Sequence, residues 1–134
     1  MKLQQATRCA LFAVLDLAQT PERHRSAQEI ASQYGFSVNH LLKVLQALAQ
    51  EGLLESVRGA GGGYRFVGNP KRVTLYDIIQ LFESVEVVEE NGPEDNPSAL
   101  STTLQKVVLE IDATALATLR SITVSTFLKL SQRA

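Results

Sequence analysis

Four polar side chains crowd one short stretch of the chain: Ser37, Asn39, His40 and Lys43. At the start of a helix, that spacing aims them at a common target. Asn can read adenine through paired hydrogen bonds, and Lys can reach guanine or a phosphate. A helix seated in the DNA major groove uses its N-terminal side chains in this way. A wet helix face would show the same residues, so the stretch alone leaves both readings open. Further along, Arg58 opens the run Arg58-Gly-Ala-Gly-Gly-Gly63. An arginine beside Gly59 and Gly61 on a flexible tip can enter the minor groove, where negative potential favours it. Arg65, Lys71 and Arg72 follow, placed to meet nearby phosphates, and Lys2 and Arg8 add to the basic set. Tyr64 reads foremost as packing beneath the tip, with its hydroxyl free to touch a phosphate.

Other chemistries find little support. A G-x-G-x-x-G fingerprint starting at Gly59 would need glycine where Tyr64 stands, and no G-x-x-x-x-G-K-[ST] occurs. His24 and His40 are not at H-E-x-x-H spacing. The single cysteine, Cys9, excludes an internal disulfide and a multi-cysteine metal site within one chain. Cys9 itself reads as an inert core thiol or a redox sensor. With no catalytic pattern to name, the expectation is no enzyme and no metal site.

The elements that would position these residues can be read in order. Residues 4–19 form a helix apolar on nearly every side, which must be covered on more than one face. Ser26-Ala-Gln-Glu29 has the form of a capping box, opening a helix that ends at Gly35. Ser37 caps the next helix, over 38–49, with Leu41, Val44, Leu45 and Leu48 on one face. Asn39, Lys43, Gln46 and Gln50 fall on the opposite face. Strands are predicted over 53–57 and 64–67, flanking the glycine tip. Thr74-Leu-Tyr-Asp77 caps a further helix, an acidic loop covers 83–98, and a long helix runs from Ala99 to about Leu119. A short helix from Thr123 closes the chain. The fold class is therefore mainly α with a small β-hairpin wing: a winged helix-turn-helix over 1–83, the acidic loop at 84–98, and dimerisation and terminal helices over 99–134.

The long helix carries Leu100, Leu104, Val107, Val108, Ile111 and Ala115 along one stripe. At a rise of 1.5 Å per residue it spans about 30 Å, more than a domain of this size needs for its own core. It reads as a dimerisation arm.

The chain has 134 residues, 45% of them hydrophobic, and a net charge of −1. That length suits a single domain with an assembly arm, and the apolar content argues against a disordered chain. The first 72 residues carry +4 and the remainder −5, so one half suits a polyanion and the other does not. Apolar runs are too short to cross a bilayer, and the N-terminus turns polar too soon for a secretory signal. A cytoplasmic setting is expected. The acidic loop reads chiefly as a solvated segment, with divalent-cation binding as the alternative.

Particular stretches also resemble the winged-helix regulators of the IscR/NsrR type. They are Thr7-Arg-Cys-Ala-Leu-Phe-Ala-Val-Leu-Asp-Leu-Ala18, Glu29-Ile-Ala31 and Asn39-His-Leu-Leu-Lys-Val-Leu45. Arg58-Gly59 with Gly62-Gly63-Tyr64, Asn69-Pro70 and Val73-Thr-Leu-Tyr-Asp-Ile-Ile79 continue the likeness. The resemblance implies a homodimer that binds a roughly palindromic operator and represses or tunes transcription. Helix 38–49 would read the major groove and wing 58–65 the minor groove. Many such regulators hold an iron–sulfur cluster through three loop cysteines, some with an acidic residue of the first helix as a fourth ligand. Here Val85 to Leu104 contains no cysteine, and Arg8 stands at the first-helix position. A cluster needs thiolates, so none is expected, and a small molecule or redox signal is left open as effector. The rival readings are a winged-helix protein-interaction module and a non-specific architectural DNA-binding protein.

Overall fold

The computed structural model describes residues 2–84 and 98–133. Most of the acidic loop, including Glu86, Glu89, Glu90, Glu94 and Asp95, lies outside the described residues.

Helix α1 (Gln5–Gln19) forms the centre of the domain. Its Cys9, Ala10, Ala13, Val14 and Leu17 are fully buried. Gln4, at the N-cap position, supplies no side-chain cap. The cap comes from far along the chain: Glu83 Oε2 accepts from the Gln4 N–H at 3.0 Å and from the Thr7 hydroxyl. A carboxylate there satisfies an otherwise open donor and complements the positive end of the helix dipole.

Helix α2 (Ala27–Tyr34) starts where Ser26 Oγ accepts from the Glu29 N–H at 3.1 Å. The Glu29 carboxylate returns to the Ser26 hydroxyl at 3.2 Å, not to its backbone, so the expected box is only half of the usual reciprocal pair. Gly35 ends α2 in the left-handed region, with φ 75°, donating its N–H to Ala31. Helix α3 (Val38–Gln50) follows after a short turn and buries Leu41, Val44, Leu45 and Leu48 against α1 and α2.

Strands β1 (Leu54–Val57) and β2 (Gly63–Phe66) form a two-stranded antiparallel hairpin with Leu54 opposite Phe66 and Val57 opposite Gly63. Only Leu54 and Phe66, at its root, are buried; the rest of β1 is exposed, and Gly63, Tyr64 and Arg65 of β2 are half-buried. Helix α4 (Leu75–Ile79) has the reciprocal box, Asp77 N–H to Thr74 Oγ1 at 3.1 Å and Thr74 N–H to Asp77 Oδ2 at 2.9 Å.

Helix α5 (Ala99–Ser121) runs two residues beyond the expected end and contains no buried residue. Its C-terminal end is held to the domain. The Arg120 guanidinium lies 4.5 Å from the Tyr76 ring centre, and backbone bonds join Leu75 to Ile122 and Val124 to Val73 at 2.9 and 2.8 Å. Helix α6 (Val124–Gln132) then returns to α1, with Val124 fully buried.

Candidate nucleic-acid interface

The two faces of α3 separate cleanly. Leu41, Leu45 and Leu48 are 0% exposed, whereas Asn39, Lys43, Gln46 and Gln50 are all solvent-exposed. The buried face fixes the rotation of the helix, because turning it would expose a leucine row worth several kcal/mol at about 25 cal/mol per Å². Ser37 Oγ accepts from the His40 N–H at 3.4 Å, so that oxygen acts first as a cap. His40 is half-buried, and its Nε2 is buried with no hydrogen-bond partner among the described residues. Asn39 and Lys43 are therefore the most freely presented of the four.

The glycine run serves two separate purposes. Gly59 and Gly61 have φ of 103° and 77°, in the left-handed region, and Gly62 N–H closes the tip onto Gly59 at 3.0 Å. Gly63 instead allows close approach: a Cβ there would sit 2.4 Å from the carbonyl oxygen of Arg25. The contact is a short bridge, with Arg25 N–H to Tyr64 O at 2.9 Å and Tyr64 N–H to Arg25 O at 2.8 Å. Arg25, two residues before α2, thus pairs with the edge of the hairpin. Tyr64 is half-buried, and its partly buried ring packs against the core.

Arg58 is exposed at the tip. Arg65 differs, since its Nε donates to the cross-strand Glu55 carboxylate at 2.7 Å. An exposed pair of this kind contributes little to stability, and a phosphate can compete for the guanidinium. Lys71 and Arg72 are exposed beside the Asn69 turn, where Asn69 Oδ1 accepts from the Lys71 N–H at 3.0 Å. Lys2 and Arg8 are exposed at the α1 end that Glu83 caps, away from the α3–hairpin junction in sequence.

Cys9 is 0% exposed, and burial pushes its thiol up from its ordinary value, with the Arg8 charge pulling weakly the other way. That combination disfavours the thiolate needed for redox chemistry.

A buried polar network of three residues, Asp16, Arg25 and Tyr34, gave no signal in the sequence pattern around any one of them. Asp16 is 7% exposed on α1 and accepts from Arg25 Nη1 and from the Tyr34 hydroxyl, both at 2.5 Å. Burial raises the Tyr34 phenol to about 12, and its hydrogen bond to Asp16 adds to the effect. Asp16 stands as a lone acid inside the apolar run of α1, but its partners lie 9 and 18 residues away.

Comparison with known proteins bears on this geometry. The family described as "Rrf2: Iron-dependent Transcriptional regulator" matches residues 3–129. The chain belongs to the Rrf2 family. It is 52% identical over 131 residues to the HTH-type transcriptional regulator BadM of Rhodopseudomonas palustris, covering 97% of this chain and 83% of the relative. It is 34% identical over 84 residues to the HTH-type transcriptional regulator NsrR of Bacillus subtilis, covering 62% of this chain and 58% of that one. Among solved structures, CymR, the global cysteine regulator of B. subtilis, superposes with a TM-score of 0.78 at 27% identity, covering 97% of this chain and 98% of that one. T. potens IscR does so with a TM-score of 0.71 at 30% identity, covering 98% and 88%. This Rrf2 protein is accordingly a winged-helix, DNA-binding transcriptional regulator, and the hairpin β1–β2 is its wing. No helix among its described residues is long and apolar enough to cross a membrane.

Proposed function

We propose that this Rrf2 protein is a homodimeric repressor that reads a roughly palindromic operator, with α3 in the major groove and the wing tip in the minor groove. The observation that carries the reading is the division of α3 into a fully buried leucine face and an exposed face bearing Asn39 and Lys43, next to an arginine-tipped hairpin. Asn39 and Lys43 meet base edges and phosphates, Ser37 and His40 set the first turn of the helix, and Arg58 enters the minor groove. Gly59 and Gly61 shape the tip. Arg65 exchanges Glu55 for a phosphate on binding, and Lys2 supplies a further backbone contact.

Dimerisation is assigned to α5. Leu100, Leu104 and Ile111 are 84%, 65% and 62% exposed in one chain, with Val107 and Val108 exposed alongside them and Ala115 half-buried. Further along the same face, the Thr114 and Thr118 hydroxyls donate to carbonyls one turn back, both at 2.9 Å. Their polar atoms are thus satisfied within the helix, and their methyl groups can join an apolar seam. A second copy of α5 is the natural cover, and its two-fold symmetry suits a two-fold operator.

We further propose that the protein works without an iron–sulfur cluster. The family description names iron, but the chain has one cysteine, and that thiol is fully buried with its pKa raised. These residues do not fit a cluster, so the effector is of another chemistry.

The test is titration of a labelled duplex at several salt concentrations. With about six to ten phosphate contacts per dimer, affinity should fall about a thousand-fold or more between 50 and 200 mM salt. Tight binding with no sequence preference would mark an architectural protein. Failure to bind any duplex would favour the protein-interaction reading.

A further inference from the structure

Asp16 is a carboxylate in the interior of the domain, and a buried charge is costly unless its oxygens are satisfied. Here each oxygen has its own partner. Oδ2 accepts from Arg25 Nη1 and Oδ1 from the Tyr34 hydroxyl, both at 2.5 Å. The two partners lead to different parts of the DNA-binding surface.

Arg25 leads to the wing. Its backbone makes the two-bond bridge to Tyr64, at 2.9 and 2.8 Å, which ties the hairpin edge to the segment before α2. Its guanidinium also lies 3.8 Å from Glu29 on α2. Tyr34 leads to the recognition helix. It is the last residue of α2, followed by the left-handed Gly35 and then by Ser37, the cap of α3. The Tyr34 ring is held by Phe12 and Phe36, with centroids at 5.2 and 6.5 Å, so its hydroxyl stays directed at Asp16.

We propose that Asp16 is a positioning residue for DNA binding: its two oxygens hold Arg25 and Tyr34, fixing the wing and α3 in one relative placement. Groove recognition at two places needs such a fixed spacing, because a hairpin out of register with α3 cannot reach the minor groove while α3 occupies the major groove. A buried ion pair is a weak source of net stability, so geometry is the better account of its presence. The inference rests on the proposed use of both α3 and the wing.

Asp16→Asn preserves shape but removes the charge and one acceptor oxygen: the remaining oxygen can serve only as a neutral acceptor for Arg25, and the NH2 meets Tyr34 only if that hydroxyl turns from donor to acceptor. Amide hydrogen exchange is the first arm, with Val14→Ala as a control that loosens the core without touching the network. Asp16→Asn should speed exchange of the Arg25 and Tyr64 amides tenfold or more relative to Leu48, whereas the control should speed all three alike. Uniform acceleration in both variants would overturn the proposal. The second arm is a double-mutant cycle on operator binding. Arg58→Ala should weaken binding tenfold or more in the unaltered protein and less than threefold in the Asp16→Asn background. Equal factors in the two backgrounds would show that Asp16 does not place the wing. If Arg58→Ala has no effect in the unaltered protein, the minor-groove reading of the wing fails, and the exchange arm still decides whether Asp16 holds the hairpin.

Discussion

Ile111→Ala isolates the proposed dimer seam from the fold of the protomer. Ile111 is 62% exposed in one chain, so it contributes little to that chain's own core. Fully burying an isoleucine is worth about 1.5–3 kcal/mol, so covering its exposed part against a second copy is worth roughly 1–2 kcal/mol per protomer. Two-fold symmetry counts it twice, giving about 2–4 kcal/mol, or roughly a 25- to 700-fold rise in the dimer dissociation constant. The substitution should not destabilise the protomer, since alanine is the better helix former at an exposed position. Sedimentation equilibrium over a range of concentrations reads the dissociation constant, and circular dichroism reads α5. An unchanged dimer constant would refute the reasoning, as would a loss of helix in the monomer. The first result would mean that α5 is covered by something other than itself. The second would mean that Ile111 already supports the domain.

Three further outcomes are expected. Tyr34 should ionise near pH 12, seen as a late step in absorbance at 295 nm, which three tyrosines and no tryptophan make readable. Its folded pKa lies above the ordinary 10, so its stabilising contribution is complete below about pH 10 and is lost as pH rises from there towards 12; denaturant midpoints should fall across that window. Cys9 should resist a disulfide reagent in the native protein and react promptly in denaturant, because it is fully buried and its thiol is raised; rapid native labelling would reopen redox sensing. Glu83→Gln should lower the melting temperature by a few degrees, corresponding to about 1 kcal/mol for a charged helix cap, since it weakens the only side-chain acceptor bonded to the Gln4 N–H among the described residues.

What could be read from the sequence was what short-range chemistry determines. The two faces of α3, the Ser37 and Thr74 caps and the Gly35 stop are all set by neighbours a few residues apart, and the structure has them where the spacing predicts. The glycine run read as a flexible tip between two strands, and the structure divides it into a turn at Gly59 and Gly61 and a close approach at Gly63. The placement of the single stripe on α5 was legible for a similar reason, because an apolar row on a helix too long for its domain has no local partner. Long-range polar contacts were not legible. Nothing near Thr7 or Gln4 announces that Glu83, more than 70 residues away, caps α1. Asp16 looked like part of an apolar helix, and its meaning depends on Arg25 and Tyr34 arriving from other segments. Arg65 read as a free cation because its cross-strand neighbour Glu55 is fixed only by the hairpin register.

Selection of bound sites from a random duplex pool tests the central claim most directly. Two copies of α3 on a two-fold dimer should enrich inverted repeats whose half-sites lie about one helical turn, roughly 10 base pairs, apart. Asn39→Ala should then relax the base preference at one position in each half-site. A pool that remains unenriched after repeated rounds, with the protein folded and dimeric, would contradict the account.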